Sequence, residues 1–91
     1  IHLYTILASI NTSRLTEHFF PNNIDYSRTD EIELSYNRID SIESHAFRHL
    51  RFFEGRLILK NNQIKSLDRF AFAHLHSINN LSLANNLLEQ L

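Results

Sequence analysis

The sequence predicts an α/β solenoid, a stack of short repeats in which each repeat adds one strand to a parallel β-sheet. Three observations predict it. First, three segments superimpose without gaps: Ile32-Glu-Leu-Ser-Tyr-Asn-Arg-Ile-Asp-Ser-Ile42, Leu57-Ile-Leu-Lys-Asn-Asn-Gln-Ile-Lys-Ser-Leu67 and Leu81-Ser-Leu-Ala-Asn-Asn-Leu-Leu-Glu-Gln-Leu91. Each reads L-x-L-x-x-N-x-L-x-x-L, where L is Leu or Ile. Second, the asparagines Asn37, Asn62 and Asn86 are 25 and then 24 residues apart. Third, the stretches between share a pattern. Ala46-Phe47-Arg-His49-Leu50 is followed by Phe53, and Ala71-Phe72-Ala-His74-Leu75 by Ile78. Self-similarity at a fixed period of roughly 20–50 residues marks repeat architectures.

The segments divide the chain into residues 1–28, a divergent first repeat or cap-like region, then repeats 29–53 and 54–78, and a partial repeat 79–91. Counting back 24 residues from Asn37 gives Ser13. That register puts Ala8 and Ile10 in the first two apolar columns and Leu15 in the fourth. His18 falls in the last column, where an aliphatic residue is expected, so a distorted repeat with His18 partly exposed follows. Terminal repeats are often atypical, because they must cover an open end.

In the L-x-L of each repeat, alternation sends both apolar side chains to one side of a short strand. The turn after each strand leaves backbone groups without sheet partners. An asparagine amide both donates and accepts, so Asn37, Asn62 and Asn86 are read as a buried ladder tying the turns together. Ser13 can do only part of that work. Ile39, Ile64 and Leu88, then Ile42, Leu67 and Leu91, floor the core behind the turn. Phe47 and Phe72 are expected to stack as a spine on the opposite side, since aromatic rings bury large area in offset contacts.

These repeats resemble the leucine-rich-repeat family. The 24-residue spacing and the Ala-Phe-x-x-Leu segment look like its "typical" subtype, found in extracellular receptors, adhesion ectodomains and matrix proteins. The resemblance runs from Ala8 to Leu91 and implies a right-handed curved stack. Its parallel sheet lines the concave face, and irregular or short helical segments form the convex one. It also implies an extracellular or cell-surface setting and a protein ligand or co-receptor as partner. An intracellular scaffold or adaptor and a structural spacer with no direct ligand contact are the alternatives, and a second copy of the chain is a further candidate partner. The chain is expected to continue past Leu91 and before Ile1, or to have a partner covering that end, because repeats cannot bury their apolar faces alone.

In such a stack the outward strand positions form the binding surface. They are Leu7, Ser9, Asn11 and Thr12 in the first repeat, then Glu31, Glu33, Ser35 and Tyr36. Arg56, Ile58, Lys60 and Asn61 follow, then Asn80, Ser82, Ala84 and Asn85. Glu31, Glu33, Tyr36, Arg56, Ile58, Lys60, Asn61 and Asn85 are the candidate partner contacts. Two readings compete for the charges. Glu31 and Glu33 can pair with Arg56 and Lys60 across neighbouring strands and keep the sheet soluble. Or they read charge on a partner, with Tyr36 and Ile58 as anchors.

Composition narrows the field. Of 91 residues, 43% are apolar and 21% charged, with a net charge of -1, so there is no basic footprint for nucleic acid or a membrane surface. No apolar run approaches the length of a membrane span. Ile1–Ile10 is apolar but has no basic leader and no small-residue cleavage site, so it is not read as a signal peptide. There are no cysteines, and hence no disulfides or thiolate metal sites in this segment. No Gly-rich phosphate loop, G-x-S-x-G or H-E-x-x-H occurs, so neither catalytic residues nor a cofactor is expected. His49 and His74 share a column without a carboxylate and are read as solvated, so no metal site is expected either. Asn11-Thr12-Ser13 and Asn80-Leu81-Ser82 match the N-glycosylation sequon, so Asn11 and Asn80 are candidate sites.

Overall fold

The computed structural model describes residues 4–7, 10 and 12–88. The chain winds through seven short strands: β1 (Tyr4–Leu7), β2 (Arg14–Leu15), β3 (Thr29–Glu33), β4 (Ser41–Ile42), β5 (Arg56–Ile58), β6 (Ser66–Leu67) and β7 (Asn80–Ser82). They form two sheets, a four-stranded one in the order β1-β3-β5-β7 and a three-stranded one in the order β2-β4-β6. Every pairing is parallel and joins a strand to its equivalent one repeat later. The described chain measures 39 × 23 × 22 Å.

The core lies between the two sheets. Ile32, Leu34, Leu57 and Leu59 face it from the first sheet, and Ile42 from the second, all fully buried. Ile39, Ile64, Phe47, Leu50 and Phe53 close it from the turns. Along the last repeat Leu81 and Leu83 are less covered, because β7 has a neighbour on one side only among the described residues.

The step from the first sheet to the second, seven residues long between β3 and β4 and between β5 and β6, has one form in these repeats and begins the same way after β7. Tyr36, Asn61 and Asn85 each adopt left-handed backbone, with φ of 60°, 57° and 59°. The next residue is the asparagine of the repeat. Asn62 Nδ2 donates to the carbonyls of Leu34 (3.0 Å), Leu59 (3.1 Å) and Lys60 (3.2 Å), and its Oδ1 accepts from the Ile39 amide at 3.2 Å. Asn86 repeats this toward Leu59, Leu83 and the Ile64 amide. Asn37 donates to the Leu34 carbonyl at 2.9 Å and accepts from the Ile10 amide at 2.9 Å. Of the three, Asn62 is buried, while Asn37 and Asn86 are half-buried.

After the second sheet the chain returns through successive i→i+3 turns rather than a helix. Ala46 bonds back to Glu43, Arg48 to His45, Leu50 to Phe47 and Phe53 to Leu50, and Ala71, Ala73 and Leu75 do the same one repeat on. Of the irregular or short helical segments expected, these two are runs of turns. A 3₁₀ turn at Tyr26–Arg28 is the only helical element among the described residues. Asp25 caps it, accepting from the Ser27 amide at 3.1 Å. Phe47 and Phe72 stack at 5.7 Å with planes 5° apart, and Phe20 extends the row at 5.7 Å from Phe47. Phe47 is fully buried and Phe72 half-buried.

Gly55 stands where the return segment meets β3. A Cβ there would lie 2.2 Å from the Asp30 carbonyl oxygen, inside any tolerable contact. The glycine carbonyl in turn accepts from the Asn79 amide at 3.0 Å. The chain's single glycine is thus a close-approach position rather than a flexible joint.

The structure corrects the register of the first repeat. Ile6, not Ala8, pairs with Ile32, a separation of 26 residues. Ile10 is not the second strand residue. Its amide meets Asn37 as the Ile39 amide meets Asn62, so it belongs to the column of Ile39 and Ile64. Leu15 pairs with Ile42 and occupies the last column, 27 residues before its equivalent. His18 is therefore free of the core, with its side chain 81% exposed. Ser13 is exposed too, and it meets the next repeat through its carbonyl, which accepts from the Asp40 amide at 2.7 Å. The reason is length. The first repeat holds extra residues, so a period taken from the later repeats slips when carried back across it. Ala8, Ser9, Asn11 and Leu91 lie outside the described residues.

Candidate functional site

The outward face of the four-stranded sheet gathers the sequence-predicted contacts into rows, because parallel pairing sets equivalent positions side by side. Glu31, Arg56 and Asn80 make one row, and Glu33, Ile58 and Ser82 the next. Leu7 continues the second row by register, opposite Glu33. A parallel sheet with one side open to solvent is unusual, since such sheets are normally covered on both faces.

Charge on this face is largely settled within it. Arg56 Nη2 lies 2.9 Å from Glu31 Oε1. Glu33 turns its carboxylate onto its own turn, accepting from the Ser35 amide at 2.9 Å. Lys60 is exposed and makes no ion pair among the described residues. The acidic strand beside the basic strand is thus one ion pair, one capped turn and one free ammonium. Ile58 is half-buried in the second row, between Glu33 and Ser82.

Tyr36, Asn61 and Asn85 stand at the rim where the strands end. Tyr36 is 78% exposed, and its amide donates to the Lys60 carbonyl at 3.1 Å. Left-handed backbone is uncommon outside glycine, asparagine and aspartate. Asn61 and Asn85 suit that conformation, but an aromatic residue there is strained. Tyr36 recovers nothing by packing, since its ring is in solvent. Strain held at an exposed aromatic is a pointer to function. Asn61 is half-buried with its Oδ1 turned inward, so its amide oxygen is withdrawn from the face. Asn85 is exposed.

The candidate glycan site Asn80 is exposed in β7, in the row of Glu31 and Arg56. Asn11 lies outside the described residues.

The turn side holds a feature that sequence columns missed. His74 meets His45, not His49. Nδ1 of His45 and Nε2 of His74 are 2.9 Å apart, with ring centroids at 5.1 Å. His45 also has left-handed backbone (φ 64°), which turns its ring toward the next repeat and onto Phe70 at 5.9 Å. Partial burial lowers the His74 pKa below the usual histidine value, and His45, His76, Arg48 and Arg51 add to the effect in that order. The sequence signal was weak, because His45 aligns with Phe70 rather than with another histidine.

Comparison with known proteins agrees with the repeat pattern over part of the chain. It is 40% identical over 70 residues to leucine-rich repeat-containing G-protein coupled receptor 5A of Xenopus laevis, a match covering 77% of this chain and 8% of the receptor. It is 44% identical over 43 residues to Connectin of Drosophila melanogaster, covering 47% of this chain and 6% of that protein. The chain thus spans under a tenth of either relative. No protein-family model matches it, and no solved structure matches it significantly.

Proposed function

We propose that the chain is a stretch of leucine-rich-repeat solenoid of the 24-residue typical subtype and that it binds a protein partner rather than catalysing a reaction. The open face of the parallel sheet carries this reading, with Tyr36 strained and exposed at its rim. The likeness to a leucine-rich-repeat receptor and to Connectin supports it. The partner is a protein ligand or co-receptor, and the setting is the cell surface or extracellular space. Tyr36, Ile58 and Lys60 are the contacts. Glu31 and Arg56 neutralise each other and keep the sheet in register. The surface calls for no cofactor, nucleic acid or membrane contact.

The test combines binding with stability. The chain is displayed as a soluble multimer against an array of secreted and cell-surface ectodomains. Tyr36→Asn suits left-handed backbone and forfeits little packing, so it should melt at or above wild type. Ile58→Glu alters the centre of the face. Both variants should lose most binding to any captured ectodomain, as anchor residues do. Undiminished binding by both folded variants would make this segment a spacer. Mass spectrometry of Asn80 in protein from its native source tests the setting, since an attached glycan requires the secretory pathway.

A further inference from the structure

We infer that His45 and His74 form a two-imidazole chelate for a divalent transition metal of tetragonal preference, Cu2+ or Ni2+, bridging two adjacent repeats. The geometry is the first argument. Metal–imidazole bonds of about 2.0–2.1 Å set two ligands at right angles about 2.8–3.0 Å apart, against about 3.3–3.4 Å in a tetrahedron. The observed separation of Nδ1 and Nε2 is 2.9 Å. That is the length of the N–H···N bond joining the rings, and it puts both nitrogens within reach of one metal ion, so the choice of metal rests on ligand type.

The second argument is how the rings are held. The His45 amide donates to the Phe70 carbonyl at 3.2 Å, and its ring lies almost parallel to that of Phe70, 14° off. His45 is thus fixed against the very turn that carries His74. His74 is in turn flanked by His76, whose ring centroid is 6.4 Å away. Both chelating rings reach solvent, and no third His, Cys, Asp or Glu converges on them among the described residues, so water completes the coordination.

In the metal-free pair one ring gives its N–H to the bare nitrogen of the other. Binding moves that proton to the donor ring's other nitrogen, and both facing lone pairs go to the metal. Two neutral imidazoles are the form that ligates. Arg48 and Arg51 oppose the cation, but Arg48 is held by Glu17 at 3.1 Å, and the Arg51 guanidinium lies over Phe52 at 5.1 Å. Imidazole ligands and the affinity order of the first-row metals favour Cu2+ most.

The test uses the whole chain, stripped with a chelator and titrated with Cu2+ alone. Paramagnetic broadening of amide NMR signals should begin in residues 44–46 and 73–76. His74→Gln and His45→Asn, the latter chosen because asparagine tolerates left-handed backbone, should each weaken binding roughly tenfold or more. His49→Gln should stay within about threefold of wild type, and Zn2+ should bind more weakly than Cu2+. Broadening centred on other histidines would overturn the assignment, as would wild-type affinity in either chelate variant. Thermal melts of each variant without metal separate loss of the site from loss of the fold.

Discussion

Asn62→Ala removes one amide from the middle of the stack, and the structure sets the size of the effect. Four hydrogen bonds vanish, yet most of the partners keep another. The Leu34 carbonyl retains Asn37 Nδ2 at 2.9 Å, and the Leu59 carbonyl retains Asn86 Nδ2 at 2.9 Å. The Lys60 carbonyl still accepts from the Tyr36 amide at 3.1 Å. The group stranded is the Ile39 amide, which donates to Asn62 Oδ1 and whose residue is fully buried. One orphaned buried donor costs roughly 1–3 kcal/mol. In a domain of this size each kcal/mol lowers the melting temperature by roughly 4–8 °C. Thermal and urea unfolding of Asn62→Ala, with the exposed Lys65→Ala as control, measure it. Hydrogen exchange should quicken most at the Ile39 amide. Asn62→Asp separates the two halves of the amide. It keeps the acceptor for Ile39 but sets a carboxylate against three carbonyl oxygens, so it should destabilise more than alanine. A wild-type melting temperature with an unchanged Ile39 exchange rate would refute the placement of the asparagine in this ladder.

Two further substitutions probe the packing. Gly55→Ala should destabilise by roughly 1–3 kcal/mol, because the new methyl meets backbone at Asp30 and no side chain can swing away; a neutral result in urea unfolding would mean β3 and β5 separate easily at that point. Phe47→Ala should cost roughly 3–5 kcal/mol as a fully buried ring. Phe72→Ala should cost less, since its ring is only half-buried, and equal losses by calorimetry would contradict the difference in burial.

The sequence itself determined the repeat columns from Ile32 onward. Side-chain alternation and a fixed period are local rules, so the spacing of Ile32, Leu34, Leu57 and Leu59 could only mean one strand per repeat with a shared buried side. The asparagine spacing was equally local. Tertiary structure alone decided what depends on distance between repeats. It set the true register of the first repeat, where extra residues break the period and place Ile6 and Leu15 in the columns. It showed the second sheet, because a two-residue strand such as Ser41–Ile42 carries too short a pattern to announce itself. It also turned Glu31 onto Arg56, left Tyr36 strained in solvent, and brought His45 against His74. His45 and His74 align to different columns. Left-handed backbone at His45 brings the two rings together, and no periodicity in the sequence encodes it.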